Sequence, residues 1–348
     1  NDNQKKIGIG IVIAILCAAA FYFLYWTKTP VYSLGIIRES IEKHDVDTFE
    51  RHVDLDTLFD KGFDDAFVAK DRIEGKNFLE DPLVAGMVQM MKKPAVAALK
   101  ADTLEAVKEN SEEKKSGKKG KGDEFARNFK KEAGVDQVVF KGASVISKEG
   151  NEAIVSVKFY NKQVDRAFEV KLKMAKLDDG TWKVKQVTNL VDFLVEVDKA
   201  VEAKLAELNK PIKEELNNAV KVSDEEMKLQ SDGNPFFASY WMKYGVKLAN
   251  NSEKEITAVY MLGSVVGDDG TVYREQLLRY DKAPLLAHTT VNVVYKDELN
   301  QFLSADKALI DHPGGKKLKI ELVRIKYSDG SEVKILTQLP EPQEEKKK

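Results

Sequence analysis

The sequence predicts an α+β protein: an N-terminal transmembrane helix, helices packed on a curved antiparallel meander, then a small β-sandwich with one added helix. Three observations carry this expectation. Residues 7–26 form an uncharged apolar run, IGIGIVIAILCAAAFYFLYW. The spacing of apolar residues changes from three-or-four to two near residue 138, and becomes two again after residue 231; these are the periods of helix and strand. Turn signals, DDG at 178–180 and GDDG at 267–270, separate the alternating runs.

The apolar run comes first. As a helix rising 1.5 Å per residue it is about 30 Å long, the thickness of a bilayer's hydrocarbon. Ile7, Ile11, Ile15, Phe21, Tyr25 and Trp26 mark the expected membrane anchor, with the aromatic residues crowding one end, where amphipathic rings prefer the interface. A cleaved leader has a shorter apolar core and a small-residue cleavage site. Ala18-Ala19-Ala20 imitates such a site, but residues 21–26 continue the run. A lipoprotein reading needs a small residue before Cys17, where Leu16 stands. The Lys5-Lys6 pair and the long polar chain after the run suggest a signal anchor with a cytoplasmic N-terminus.

The 348 residues leave room for two domains besides the anchor. The formal net charge of −2 argues against a general nucleic-acid binder, which carries a basic excess. Cys17 is the only cysteine and lies in the run. The rest of the chain therefore has no disulfide, thiolate metal site or cysteine nucleophile.

Thr29 and Pro30 suit the N-cap and first position of a helix carrying Leu34, Ile37 and Ile41. Asp45 or Asp47 caps a second helix, and Asp54 or Asp56 a third. More helical sequence follows, with a break expected at Pro94. The lysine- and glycine-rich segment 111–124, SEEKKSGKKGKGDE, reads as a loop. Residues 138–188 read as a meander of four antiparallel strands. A long helix is expected over about 189–222, bearing Leu190, Leu194, Val197, Val201, Leu205 and Leu208, with a kink or split at Pro211. Its repeat is too short to specify a coiled-coil oligomer. The remainder is many short strands with turns between them, plus a helix expected over 298–309. The phase of Leu318, Ile320 and Leu322 shifts to Val323, Ile325 and Tyr327, the mark of a bulge.

The domain boundaries expected from this are 1–28 for tail and anchor, 29–208 for the α+β domain with its basic loop, and 209–230 for a linker helix. The β-sandwich takes 231–338 and a charged tail takes 339–348.

Two resemblances follow from particular stretches. Short helices leading to a meander that ends DGTWKVKQVTNLVDF resemble the nuclear transport factor two-like superfamily, over roughly residues 30–208. That likeness implies a cone-shaped domain whose cavity serves as an active site in some members. GVKLANNSEKEITAVYMLGSVVGDDGTVYREQ, residues 245–276, resembles the immunoglobulin-like modules of bacterial envelope proteins. Neither likeness brings a catalytic motif.

Candidate chemistry is sparse. His44 and His52 stand eight apart, not the three or four of a helical metal pair. His288 and His312 lie beside turns, and no setting for a Ser-His-Asp triad exists. In the acid-rich stretch 45–65, Asp54 and Asp56 match two calcium-loop positions, but Leu58 holds the third; helix caps explain the same residues. Asp165 and Tyr160 flank the meander and have the character of strand-end residues. The segment GKKGKG lacks the preceding strand and Lys-Ser/Thr ending of a phosphate loop. Lys114, Lys115, Lys118, Lys119 and Lys121 could meet an anionic surface, at about 1 kcal/mol each, though a solvated loop explains them as well.

The sequence therefore predicts no enzyme, no cofactor and no metal. It predicts a single-pass protein of the cytoplasmic membrane whose two extracytoplasmic modules bind, scaffold or assemble. Its expected partners are the lipid bilayer and an envelope protein, and not nucleic acid. The alternative is a tethered enzyme or small-ligand binder using the cone cavity.

Overall fold

The computed structural model describes residues 26–75, 80–108, 138–233 and 238–340. It is α+β, with six α-helices and three antiparallel sheets among these residues. No helix among them is long and apolar enough to cross a membrane. The expected transmembrane helix is corrected accordingly. Ile7, Ile11, Ile15, Phe21 and Tyr25 lie outside the described residues, and Trp26, expected to end the span, opens the 3-10 turn Trp26–Lys28. The signal anchor and the single-pass placement find no support among the described residues. The lysines at 114, 115, 118, 119 and 121 also lie outside the described residues.

Contacts divide the chain into two compact units, residues 1–202 and 203–348. In the first, α1 (Pro30–Glu42) begins at Thr29, whose hydroxyl accepts the amide of Tyr32 at 3.2 Å. Helix α2 (Val46–His52) is capped by Asp45, and α3 (Leu55–Glu74) by Asp54. Each cap satisfies an amide that the helix's own ladder leaves unpaired. Gly75 ends α3 at φ 60°, a left-handed turn that glycine adopts without cost. Helix α4 (Pro82–Lys108) continues through Pro94, so the expected break is absent; packing against α3 holds the helix together where one backbone bond is missing.

The meander is β1 (Val138–Glu149), β2 (Glu152–Asn161), β3 (Arg166–Lys176) and β4 (Trp182–Val187), hydrogen-bonded in that order. Ala153, Val155, Met174, Trp182 and Val184 face one side, and Val31, Leu34 and Ile37 of α1 pack on them. Trp182 is fully buried. Its ring nitrogen donates to the Lys28 carbonyl and its amide to the Ser33 hydroxyl, both at 2.9 Å. Phe159, Phe168 and Phe193 form a second apolar contact, with centroids 5.8–6.1 Å apart.

Asp54 ties α3 to this sheet. Its carboxylate accepts the Thr57 amide at 3.1 Å and the ammonium of Lys185, while its own amide donates to the Val184 carbonyl at 2.9 Å. Partial burial opposes the charge, but the bonds from Lys185 and Thr57 outweigh it and pull the pKa from 3.8 to about 2. A depressed carboxylate contributes stability that is present above its unfolded pKa and is lost as pH falls through the folded one. Asp54 should therefore supply about 2 kcal/mol that disappears between about pH 4 and about pH 2. Urea titrations of wild type and Asp54→Ala across that range should converge at the acid end; a constant gap would exclude the linkage.

Helix α5 (Leu190–Ala219) runs unbroken through Pro211 and across the division between the units. Residues 209–230, read from the sequence as a linker helix, instead supply the end of α5 and strand β5 (Val220–Asp232). Leu216, Ala219 and Val220 belong to the core of the second unit. The other strands are β6 (Ser239–Asn250), β7 (Ile256–Gly267), β8 (Val272–Tyr280), β9 (Thr290–Leu299), β10 (Lys316–Tyr327) and β11 (Glu332–Lys334). One sheet has the order β5-β6-β9, the other β11-β10-β7-β8. Met242, Tyr244, Val246 and Leu248 of the first meet Val259, Met261, Leu322 and Ile325 of the second in one core, the arrangement of a sandwich.

The register of β10 slips between Leu322 and Arg324, at the phase shift visible in its sequence. Helix α6 (Ser304–Asp311) is shorter than the helix read over 298–309, because β9 extends to Leu299. The Asn250-Asn251-Ser252 turn is built around the buried Asn250, whose amide donates to the carbonyls of Lys254, Leu285 and Leu286.

Candidate functional site

The residues singled out in the sequence are absorbed by structure. Asp56 pairs with Lys100 at 2.8 Å, and Lys92 reaches Asp60 and Asp64 at 3.0 and 2.9 Å. The acid-rich stretch thus caps helices and grips α4. No group of three or more metal-capable side chains exists among the described residues. The Nδ1 of His44 bonds the Val107 carbonyl and that of His52 the Thr48 carbonyl, both at 2.9 Å. His288 lies 3.2 Å from Glu253 on an exposed turn, and the carbonyl of His312 accepts the ammonium of Lys316. Tyr160 donates to Asp165 on the surface, a bond that raises the phenol's pKa. These groups stand in different elements, and the structure brings none of them together around a shared cavity among the described residues.

The second unit holds a partly buried polar hub. Arg274 of β8 donates to Asp297 of β9, to Asp306 of α6 at 2.6 Å and to the Glu298 carbonyl at 3.3 Å. Asp306 is 3% exposed and also accepts the amide of Asn300 at 2.8 Å. Burial works against the guanidinium charge, but the bonds to Asp297 and Asp306 outweigh it and hold the pKa above its ordinary value. Tyr244, beside the hub, has its pKa pushed up to about 12 chiefly by burial. Both carboxylates are engaged by the one arginine, and the hub joins β8, β9 and α6.

A different arrangement covers the outer face of the β5-β6-β9 sheet. In β6 the even positions from Met242 to Leu248 are buried, so the odd positions point outward. Pairing aligns Lys228 of β5 with Lys243 of β6, and Lys243 with Lys296 of β9. Three lysines therefore stand in one cross-strand row, neighbours about 4.8 Å apart across the strands. The adjoining rows are Gln230, Trp241 and Glu298 on one side and Glu226, Gly245 and Val294 on the other. Lys228 pairs with Glu226 at 3.2 Å. The Lys296 ammonium sits 3.9 Å from the centroid of the Trp241 ring, a cation–π contact. Among the described residues Lys243 has no partner for its ammonium group. Beside the row, Gln230, Ser231, Asp232, Trp241 and Lys296 line a recess of about 360 Å³.

Lysines on edge strands commonly block pairing with other sheets. Lys228 and Lys296 lie on edge strands and fit that role, but Lys243 is on the central strand, which has no free edge. Like charges placed directly opposite destabilise a sheet, so Lys243, flanked by Lys228 and Lys296, meets repulsion across the row. Lys243→Gln should raise stability by about 0.2–1 kcal/mol at low salt, and the gain should shrink as salt screens the row. Urea midpoints at two ionic strengths check this; destabilisation at low salt would mean that Lys243 has a structural partner. No single-sequence signal marks this row, because its members are far apart and only the register unites them.

No family model matches the chain, and no curated protein does. A solved structure assigned to ApaA of Bordetella pertussis aligns with 34% of this chain and 88% of its own, at 14% identity and a TM-score of 0.20. A likeness that slight carries no argument about this protein.

Proposed function

We propose that the chain is a non-catalytic, two-module binding or assembly protein whose β-sandwich recognises a negatively charged partner. The observation that carries this reading is the lysine row Lys228, Lys243 and Lys296 on an uncovered sheet face beside Trp241. Val294, a large apolar side chain on the same face, also stands exposed. In this reading the first unit is a nuclear transport factor two-like cone and the second an immunoglobulin-like module. The two facing antiparallel sheets of the second unit and the helix-backed meander of the first support those analogies.

The test is a photo-crosslinking amino acid placed at Val294 on the row's face, and separately at Leu277 on the other sheet. The two sites have nearly equal exposure, 62% and 63%. Capture of a neighbour in native extract from Val294 and not from Leu277 is the expected result. Capture from Leu277 alone would move the interface elsewhere.

A further inference from the structure

Independently of the charged face on the second unit, we infer that α4 is a self-association surface of the first unit, pairing antiparallel with α4 of a second copy of this chain. Leu83, Met87, Met90, Pro94, Ala97 and Ala101 follow one another at steps of four, three, four, three and four, the alternating repeat of a helix-pairing seam. All six are exposed. Leu83, Met87 and Met90, with Met91 beside them, are between 57 and 81% exposed. The opposite side of the helix is already used: Val88 and Val107 are buried, and Lys92 and Lys100 reach acids of α3. A Cβ added at Gly86, next to the seam, would touch nothing within 4 Å. Helix α4 is thus apolar on two sides, and the fold of the first unit uses one of them.

The seam is complementary to itself. Its first half is large and its second half small. An antiparallel pair about a two-fold axis near residue 92 sets Leu83 against Ala101, Met87 against Ala97 and Met90 against Pro94 of the other copy. Each bulky side chain then meets a small one, and the helices approach closely. A parallel pair would stack bulk on bulk and leave voids between the alanines. The four large side chains present roughly 500 Å² on each copy, or about 1,000 Å² over two, which is the size a specific interface needs before Pro94 and the alanines are added. A bilayer would take the large half and gain little from the small one. An interfacial helix also holds anionic lipid with rows of cations, whereas Lys93 is the one exposed cation of α4 between Leu83 and Ala101.

The experiment is sedimentation equilibrium of the full chain. Wild type should show a monomer–dimer equilibrium in the micromolar range. It should tighten as salt rises, because Lys93 stands near the axis and meets its own copy. Met90→Glu should weaken association at least about 100-fold, since two-fold pairing counts each change twice. Glutamate and methionine have similar helix propensity, so α4 keeps its conformation. Phe302→Glu, at an exposed apolar residue of the second unit, should leave association unchanged. The direction of pairing has its own readout. In a Cys17→Ser background, a short bismaleimide should link Met91→Cys to its copy near the axis. It should fail to link Leu83→Cys, whose copies lie about 27 Å apart along the helix. A monomer at about 0.1 mM, a dimer equally strong in Met90→Glu, or association that loosens with salt would overturn the inference. Equal linking at both cysteine positions would overturn the antiparallel arrangement. Vesicle binding by a monomer, lost in Met90→Glu, would assign the seam to a membrane and overturn the second copy as occupant. These results are separate from crosslinking at Val294 and Leu277, so either reading can fail alone.

Discussion

Asp306→Ala should destabilise the sandwich by about 2–3 kcal/mol, because it strips a buried hydrogen-bonded carboxylate from the partly exposed Arg274. The substitution also orphans the Asn300 amide, which Asp306 accepts at 2.8 Å. Asp306→Asn keeps the shape and an acceptor for that amide, and should cost clearly less. The decisive variant is the double replacement Arg274→Met with Asp306→Leu. Burying two ions costs several kcal/mol of lost hydration, so exchanging the pair for apolar groups should destabilise less than the two single changes summed. Urea unfolding of the four proteins measures the coupling. Additive effects would show that Arg274 and Asp306 act independently, contrary to their contact.

Trp182→Ala should cost the first unit about 3–5 kcal/mol. The side chain is fully buried among Met174, Val155 and Val184 and is covered by residues of α1. Its removal leaves a cavity the sheet cannot close, and deprives the Lys28 carbonyl of a donor. Trp182→Phe retains most of the apolar volume and loses the 2.9 Å bond, so about 1 kcal/mol of the penalty beyond packing belongs to the hydrogen bond. Circular dichroism during urea unfolding should show the alanine variant falling well below the phenylalanine one. Equal midpoints would mean that the Lys28 contact, and not the packed ring, accounts for the effect.

Local physics was legible in the sequence where it acts over a few residues. Thr29 is readable as a cap, and the other two caps are narrowed to Asp45 or Asp47 and Asp54 or Asp56, because a cap and its amide lie three positions apart; the structure selects Asp45 and Asp54. The phase shift from Leu322 to Val323 announced a bulge for the same reason. One expectation failed where packing overrides local preference, since Pro94 does not break its helix, and at Pro211 the helix is not split. Strand β5 was hidden by its own irregularity. Val220 and Val222 face the core, but the bulge between Ser223 and Glu226 moves the inward phase to Met227 and Leu229. A period broken in the middle looks like neither helix nor strand. Of the apolar run at 7–26, residues 7–25 lie outside the described residues, and Trp26 opens the first 3-10 turn.

The candidate site was not legible at all. Lys228, Lys243 and Lys296 sit in three ordinary alternating stretches, and each looks like a solvated outward residue. Their meaning comes from register, since moving any strand by one residue would turn its lysine toward the core. The same holds for Arg274, Asp297 and Asp306, three charges on separate elements that share one hub only after the sheets close.

The most direct measurement is lysine reactivity by reductive methylation and mass spectrometry, comparing the purified chain with the chain in its native extract. Protection of Lys228, Lys243 and Lys296 in the extract, with Lys282 and Lys319 unchanged, is the result expected of a partner seated on the row. Unchanged reactivity along the row, or protection confined to Lys282 and Lys319, would contradict it.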